Sequence, residues 1–416
     1  MRRATKLLLA ALTLAVLAVS VALPAQATPG PSGAPQWWFD AWQVPALWAG
    51  GADGRGITVA VLDSGVQGDL PELRGRVLPG ADFTGNGSDG RIDYDSDEFS
   101  HGTAMASLIV AARGYADIEG LAPAAKILPV VVPLVSVVHQ GEPPVNATAK
   151  AIDYAAGHGA RIISMSLGGA RTERQDRLPC PSDIQDAVLR ALRRGAIVVA
   201  ASGNAAQSGN PVEEPGVCLG VVSVGAVDAG LRVTAFSSRH RYLSVTAPGS
   251  NIATLNREPD TAFVGAGTSH ATALTSAALA LVWSKYPHES GRQILSRLLA
   301  TATDRGPKGR DPEYGLGVID PAAAIGAGPA VAAGPNPVLD GAAPLLALAS
   351  ARASAPKPAV ATAAPDAPLG KYQVGGNRSA RLDTSVTLPA AGAVGFGALA
   401  LVLLAVAGHR RRRARS

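Results

Sequence analysis

The sequence predicts an α/β fold with a mostly parallel central sheet and helices on both of its faces. Two observations support this prediction. Short apolar segments alternate with longer helix-like segments between about residues 37 and 327, and this region is long enough to bury a large core. The predicted strands are Ile57–Leu62, Ile127–Val132, Arg161–Met165, Ile197–Ala201 and Val221–Val227. Polar groups that follow such strands are expected to meet at the carboxyl edge of the sheet.

Five segments that alternate with these strands or follow them are predicted helices. They are Gly102–Ala112, Asn146–His158, Asp183–Arg194, Ser269–Tyr286 and Glu289–Ala300. Ser182 and Gln185 have the spacing of a capping box at the start of the third helix, and Gly195 is a typical helix stop. The alternating region predicts one domain at residues 57–327.

The N-terminus has the three parts of a secretory signal peptide, predicted at residues 1–27. Basic residues come first, Leu7–Leu23 is apolar, and Ala25-Gln-Ala27 is a small-residue cleavage site. A membrane-spanning helix is the alternative, and the cleavage site argues against it. The extension at 28–56 is rich in tryptophan, and we expect these side chains to pack on the main domain.

The C-terminus predicts a membrane anchor. Residues 328–388 are rich in Ala, Pro and Gly and predict a flexible linker. As a helix, Ala390–Ala407 would span about 27 Å, close to the thickness of the bilayer core. We expect a transmembrane helix at 389–408 and an Arg-rich cytoplasmic tail at 409–416. A core helix is the alternative, but no core-forming segment surrounds this stretch. Leu388–Gly392 only loosely resembles a wall-sorting signal, because Ala391 stands at its Thr position.

Charge and cysteine content exclude some functions. The net charge of +5 comes from the two termini, which leave 29 basic against 32 acidic residues between them, so nucleic-acid binding is not expected. No cofactor is expected either. Cys180 and Cys218 lie on either side of Asn204, and in an oxidising compartment we expect them to form a disulfide. A free-thiol or metal role lacks a supporting ligand cluster.

Three short segments carry a carboxylate, an imidazole and a hydroxyl, in the order Asp63, His101 and Ser269. Asp63 ends an apolar strand, His101 begins a helix, and Ser269 follows Gly267 at the start of another helix. A serine nucleophile, a histidine that titrates near neutrality and an acid that orients it are the groups that amide hydrolysis needs. Each segment alone also fits a turn or a helix cap, but the combination predicts a catalytic triad.

The segment Ala200-Ala-Ser-Gly-Asn204 supplies a candidate for stabilising the tetrahedral oxyanion. The side-chain amide of Asn204 and the backbone N–H of Ser269 are the candidate donors. A Gly-Asn turn after a strand is common, so this segment predicts an oxyanion site only in combination with the segments of Asp63, His101 and Ser269.

Together these segments resemble the subtilisin (subtilase) family of serine peptidases, whose triad has this chain order. The resemblance runs from Ile57 to Asp320. It implies that an extended peptide pairs with the main chain of one segment and that a second segment forms the wall of the primary specificity pocket. The implied substrate-binding residues are Ser166, Leu167, Gly168, Ala200, Ala201 and Gly203. Because the extension at 28–56 is short for this family, no folding pro-domain is expected.

Two residues near the nucleophile depart from the family pattern. Ala273 stands where the family usually has Pro, and His270 stands where an apolar residue is common. We do not expect His270 to serve as the base, because adjacent residues at a helix start do not face each other.

The acidic segment Asp89–Glu98 permits two interpretations. Alternate carboxylates could converge on calcium, but the segment lacks the Gly and the distal Glu of an EF-hand loop. We therefore favour a solvated acidic loop beside the cleft, which could select basic substrate segments, and expect no metal site.

The order of segments and the cysteine pair also resemble the mycosins, which are membrane-anchored subtilases of actinobacterial type VII secretion systems. This resemblance implies limited processing of secreted proteins by an extracytoplasmic enzyme anchored in the cell membrane, with type VII secretion components as possible partners. Two alternatives remain. One is a broad-specificity envelope peptidase, and the other is a secretion-complex scaffold whose catalysis is dispensable.

Overall fold

A computed structural model of the protein describes residues 36–96, 99–134, 136–137, 145–170 and 180–354. The predicted signal peptide, transmembrane helix and Arg-rich tail lie outside these residues. Among the helices that the structure describes, none combines the length and the apolar character needed to cross a bilayer.

The centre of the fold is a sheet of seven parallel strands. They are β1 (Thr58–Asp63), β2 (Ala81–Asp82), β3 (Lys126–Val131), β4 (Ile162–Met165), β6 (Ile197–Ala201), β8 (Val221–Val227) and β9 (Val245–Pro248). Their spatial order is β2-β3-β1-β4-β6-β8-β9, and every neighbouring pair is parallel. Two antiparallel pairs lie apart from this sheet: β5 (Gly169–Ala170) with β7 (Glu213–Glu214), and β10 (Ile252–Leu255) with β11 (Ala262–Gly265). The prediction of a mostly parallel sheet is confirmed.

The central strand β1 shows why the sheet is covered on both faces. Val59 and Val61 belong to one buried core cluster, whereas Ala60 and Leu62 belong to the other. Successive side chains of a strand point to opposite faces, so an uninterrupted apolar strand requires a core on each side. After β1 the chain reaches β3 on one side and later β4 on the other, and Asp63 therefore ends its strand at the point where the topology switches direction.

Ten α-helices surround the sheet in the part of the chain that the structure describes. They are α1 (Trp37–Ala41), α2 (Val44–Ala49), α3 (His101–Val110), α4 (Ala147–Gly157), α5 (Ser182–Arg193), α6 (Thr268–Lys285), α7 (Gly291–Ala300), α8 (Pro321–Gly326), α9 (Pro329–Ala332) and α10 (Pro337–Ser354). The five predicted helices are all present, with ends that differ by two residues at most. Helix α6 is buried along nearly its whole length, and α4 and α5 contribute to the core on the opposite face.

The aromatic extension packs on the domain, as predicted for its tryptophans. Trp38 is fully buried and joins the core together with Trp42. The indole N–H of Trp48 donates to the carbonyl of Leu121 (2.9 Å), and that of Trp37 donates to Ser250 (3.2 Å). Polar edges that find such partners lower the cost of burying an aromatic ring. The indole N–H of Trp38 has no partner among the described residues. Residues 36–56 of the extension are therefore part of the folded domain.

The start of α5 confirms one prediction and corrects another. Cys180 and Cys218 form the expected disulfide, with their Cα atoms 4.9 Å apart. The predicted capping box is wrong, because Ser182 lies inside the helix and makes no cap. Gln185 instead exchanges two hydrogen bonds of 2.9 Å with the main chain of Leu219. A true capping box is formed by Ser290 and Gln293 at α7.

Part of the predicted flexible linker is helical. Residues 329–332 and 337–354 form α9 and α10 despite the proline within α10. Ala342 of α10 is fully buried, and Leu345 and Leu348 face the side chains of α5 across a cavity. Burial against α5 supplies the stability that the composition of this segment does not indicate.

Candidate active site

Asp63 and His101 form a hydrogen-bonded pair at the carboxyl edge of the sheet. Asp63 is fully buried at the end of β1, and its two carboxylate oxygens lie 2.8 and 3.0 Å from Nδ1 of His101. A carboxylate can only accept, so Nδ1 carries the proton and Nε2 is left as the acceptor that a base requires. Burial alone would lower the pKa of His101. The negative charges of Asp63, Asp95 and Asp93 outweigh burial and raise this pKa above its ordinary value.

Three side chains hold the helix that begins with His101. Oxygens of Asp95, Ser64 and Asp93 accept the first three backbone N–H groups of α3 at 2.8–2.9 Å. These amides have no partners within a helix, and the positive end of the helix dipole favours the carboxylates. Because Ser64 follows Asp63 directly, one chain segment orients the ring of His101 and anchors its backbone.

This arrangement corrects the interpretation of the acidic segment. Asp93 and Asp95 are each only 5% exposed, so the prediction of a solvated acidic loop is wrong for both. The Ser64 hydroxyl also donates to Asp93 (2.8 Å). Hydrogen bonds to Asp93 lower the pKa of its carboxyl, but burial has the larger effect and the pKa is raised. In the described part of the chain, no cluster of three or more potential His, Cys, Asp or Glu ligands occurs that could hold a metal ion. These carboxylates are buried groups that position the start of α3.

Ser269 is the second residue of α6 and lines one cavity, of about 320 Å³, with His101 and Asn204. Its hydroxyl donates to the carbonyl of Ser166 (3.1 Å), and the Ser166 hydroxyl donates back to the carbonyl of Ser269 (2.9 Å). This reciprocal pair ties the start of α6 to the end of β4. Among the described residues the Ser269 hydroxyl forms no hydrogen bond with His101; catalytic hydrogen bonds often form only with substrate bound.

Asn204 is oriented by the residue before Ser269. The backbone N–H and the hydroxyl of Thr268 both donate to Oδ1 of Asn204, at 2.8 and 3.0 Å. The amide oxygen is therefore engaged, and the NH₂ group is left to donate into the cavity. The backbone N–H of Ser269 lies in the first turn of α6, where a helical amide has no intrahelical partner. Two donors thus converge beside the Ser269 hydroxyl.

The predicted substrate-binding segments follow β4 and β6 at the same edge. Ser166 and Gly168 follow β4, with Gly168 exposed, and Leu167 between them is half-buried. Gly203 follows β6 with φ of +110°, a conformation that favours glycine. Ala200 and Ala201 are buried inside β6, and Ala200 packs in the core with Met165. Gly203, in contrast, lies against the carboxylate of Glu213 in β7.

His270 is buried beside this cavity and is electrically neutral at neutral pH. Burial, followed by the nearby charge of His101, lowers its pKa to about 3. Within the described part of the chain neither ring nitrogen has a hydrogen-bond partner, and the ring lies 5.8 Å from that of Phe99. Neutrality avoids the cost of burying a charge, but the two ring nitrogens remain polar groups without hydrogen-bond partners among the described residues. Asp63 hydrogen-bonds to His101 and not to this ring.

Several residues of the site were not predicted from the sequence. Thr268 orients Asn204, and Asp93 and Asp95 hold α3. Glu213, which is 8% exposed, places its carboxylate between Gly168 and Gly203. The alternating acidic pattern around Asp93 and Asp95 is a signal that could have indicated their role. Nothing near Glu213 in the sequence indicates which residues lie beside it in the fold.

The match to known proteins agrees with this geometry. The model of the subtilase family matches residues 54–317. The chain belongs to the subtilase family of serine endopeptidases. It is 34% identical over 263 residues to the major intracellular serine protease of Bacillus subtilis (strain 168), covering 61% of this chain and 76% of that protein. It is 31% identical over 289 residues to the minor extracellular protease Epr of the same organism, covering 68% of this chain and 41% of Epr.

Solved structures of mycosins are similar to this subtilase. MycP3 protease from the type VII (ESX-3) secretion system matches with a TM-score of 0.61 and 29% identity, covering 72% of this chain and 90% of MycP3. MycP1 from Mycobacterium smegmatis matches with a TM-score of 0.60 and 28% identity, covering 70% of this chain and 84% of MycP1. The predicted resemblance to subtilases and mycosins is confirmed.

The orientation of Asn204 leads to a first prediction. Asn204→Ala should lower kcat by about 100- to 1000-fold with little change in KM, the magnitude known for removing one oxyanion donor from a subtilisin. Thr268→Val should lower kcat by a smaller factor, because the backbone N–H of residue 268 still donates to Oδ1 of Asn204. Hydrolysis of a chromogenic peptide amide measures both. Asn210→Ala is the control, since Asn210 binds the main chain of Arg239 away from the cavity. Equal activity of Asn204→Ala and the control would contradict this role.

Proposed function

We propose that this subtilase hydrolyses peptide bonds with Asp63, His101 and Ser269 as its triad, in limited processing of secreted proteins outside the cytoplasm. The observation that carries the proposal is the buried hydrogen bond between Asp63 and His101, in a site where Ser269, His101 and Asn204 line the same cavity. The family match supports the reaction class, and the geometry supports the assignment of roles.

The proposed acylation step uses one proton path. The hydroxyl oxygen of Ser269 attacks the scissile carbonyl carbon, and Nε2 of His101 takes the hydroxyl proton. Asp63 keeps Nδ1 protonated and stabilises the imidazolium that forms. The oxyanion accepts hydrogen bonds from the Asn204 amide and the Ser269 N–H. His101 then gives its proton to the leaving amine, which departs and leaves an acyl-enzyme.

Deacylation repeats these steps with water in place of the serine hydroxyl. Water gives a proton to Nε2 of His101 as its oxygen attacks the acyl carbon, and collapse of the second tetrahedral species returns the proton to Ser269. No further group is required, so we propose no cofactor for this reaction.

The proposed cellular role is supported by the similar structures and by the segments predicted at the two termini. MycP3 is a protease of a type VII secretion system, and the sequence predicts a secretory signal and a C-terminal transmembrane helix. We propose by analogy that the enzyme is anchored in the cell membrane with its catalytic domain outside the cytoplasm, where it processes few secreted proteins and contacts type VII secretion components.

Labelling with a fluorophosphonate tests the triad in the full chain purified in detergent. Wild-type protein should be labelled at Ser269, and labelling should be lost in Ser269→Ala and fall by at least about 1000-fold in His101→Ala. His270→Met should keep its labelling within about tenfold, since this neutral ring takes no part in the proton path. Loss of labelling in His270→Met but not in His101→Ala would overturn the assignment. Rapid degradation of unfolded casein would favour the broad-specificity enzyme over limited processing.

Fractionation of cells tests the anchor. The full chain should sediment with the membrane fraction, whereas a chain that ends at Leu388 should be released into the soluble extracytoplasmic fraction. Release of the full chain, or retention of the truncated one, would contradict a C-terminal transmembrane anchor. A chain that lacks only the arginines after His409 is the control. It keeps the apolar segment and should remain with the membrane.

A further inference from the structure

Glu213 of β7 places its carboxylate between the two predicted substrate-binding segments. A Cβ atom added to Gly203 would lie 2.2 Å from Oε1 of Glu213, and one added to Gly168 would lie 2.4 Å from Oε2. Both distances are far below van der Waals contact, so a side chain at either position would displace the carboxylate from this place. The Ser238 hydroxyl lies 2.8 Å from the same point on Gly203. The carboxylate therefore lies where the walls after β4 and β6 approach each other.

This carboxylate has no cation to balance it in the described part of the chain. Glu213 is 8% exposed, and none of the ion pairs between described residues includes it. Asp93, also buried, receives hydrogen bonds from three residues. Glu213 bonds through its backbone, donating to the Tyr242 hydroxyl (3.2 Å) and accepting from the N–H of Val217 (3.0 Å), but among the described residues its carboxylate accepts no hydrogen bond. Desolvation raises the pKa of Glu213. A buried carboxylate without a partner is costly unless a ligand supplies the missing charge.

We propose that Glu213 selects a basic side chain, Arg or Lys, at the substrate residue that donates the scissile carbonyl. This inference rests on the proposed function and names the substrate class of that site. An extended peptide lying along Ser166–Gly168 would direct this side chain between Gly168 and Gly203, toward the carboxylate. A guanidinium can bind a carboxylate through two parallel hydrogen bonds, and an ammonium binds as a point charge.

The basic selectivity that the sequence suggested therefore has a different origin. Asp93 and Asp95 are occupied in holding α3, whereas the carboxylate of Glu213 has no hydrogen-bond or ion-pair partner within the part of the chain that the structure describes. A second possibility is that the Glu213 side chain simply fills the space and admits only small substrate residues. An uncharged isostere separates the two, because Gln fills the same volume without the charge.

Peptidyl diaryl phosphonates test the inference, because they modify the nucleophilic serine directly and need no known substrate. Two probes are compared on the full chain in detergent, one with an arginine-like guanidinium side chain and one with its uncharged citrulline-like isostere. In wild-type protein the basic probe should react at least about tenfold faster, the lower end of measured couplings between close charge pairs. In Glu213→Gln this ratio should fall to about one. Glu214→Gln, which removes the same charge from the other face of β7, should keep the wild-type ratio.

The outcomes separate this inference from the proposed function. Wild-type protein that reacts with a fluorophosphonate but shows equal or slower reaction with the basic probe would overturn the role of Glu213 and leave the peptidase intact. The same ratio in Glu213→Gln and wild type would also overturn it. Absence of any fluorophosphonate reaction would instead overturn the proposed function. The wild-type ratio tests the inference even if Glu213→Gln does not fold.

Discussion

The buried carboxylate of Asp63 is the group on which the geometry of the active site depends. Its full burial is offset by hydrogen bonds from Nδ1 of His101 and from the backbone N–H of Ser64. Ser64 continues this network to Asp93 and to the start of α3. The end of the central strand, the acidic segment and the helix that carries the base are consequently one hydrogen-bonded unit. A shift in any part of this unit would move Nε2 of His101 relative to Ser269.

Side-chain hydrogen bonds also position Ser269 and Asn204. The start of α6 is bound to the end of β4 through Ser166 and Ser269, and to the loop after β6 through Thr268 and Asn204. Parallel strands end at one edge, so each of these groups needs only a short loop to reach its partner. The rigid sheet therefore sets the positions, and local side-chain hydrogen bonds set the orientations.

The sequence predicted the main strands and helices and brought Asp63, His101, Asn204 and Ser269 to one edge, because apolar alternation and the strand-end rule depend on local pattern. Short strands such as Ala81–Asp82 and Ala262–Gly265 were missed, since segments this short or this exposed carry little apolar pattern. The helix at 337–354 was missed because its stability comes from packing on α5. Local propensity cannot report such a contact.

Choices of hydrogen-bond partner were the least predictable part. Gln185 was expected to cap its own helix but binds Leu219, and the acids before His101 were expected in solvent but bind α3. In both cases the competing partner is set by the tertiary fold. Glu213 is the extreme case, because only the fold brings its carboxylate between Gly168 and Gly203.

The rate of fluorophosphonate labelling as a function of pH tests the central claim most directly, since its acid limb reports the pKa of the free base. The account predicts a midpoint above the ordinary histidine value of about 6.5, because Asp63, Asp95 and Asp93 favour the protonated ring. It also predicts that Asp63→Asn loses about 10⁴-fold in rate at neutral pH. A midpoint at or below 6.5, or rapid labelling of Asp63→Asn, would contradict a base held and tuned by these carboxylates.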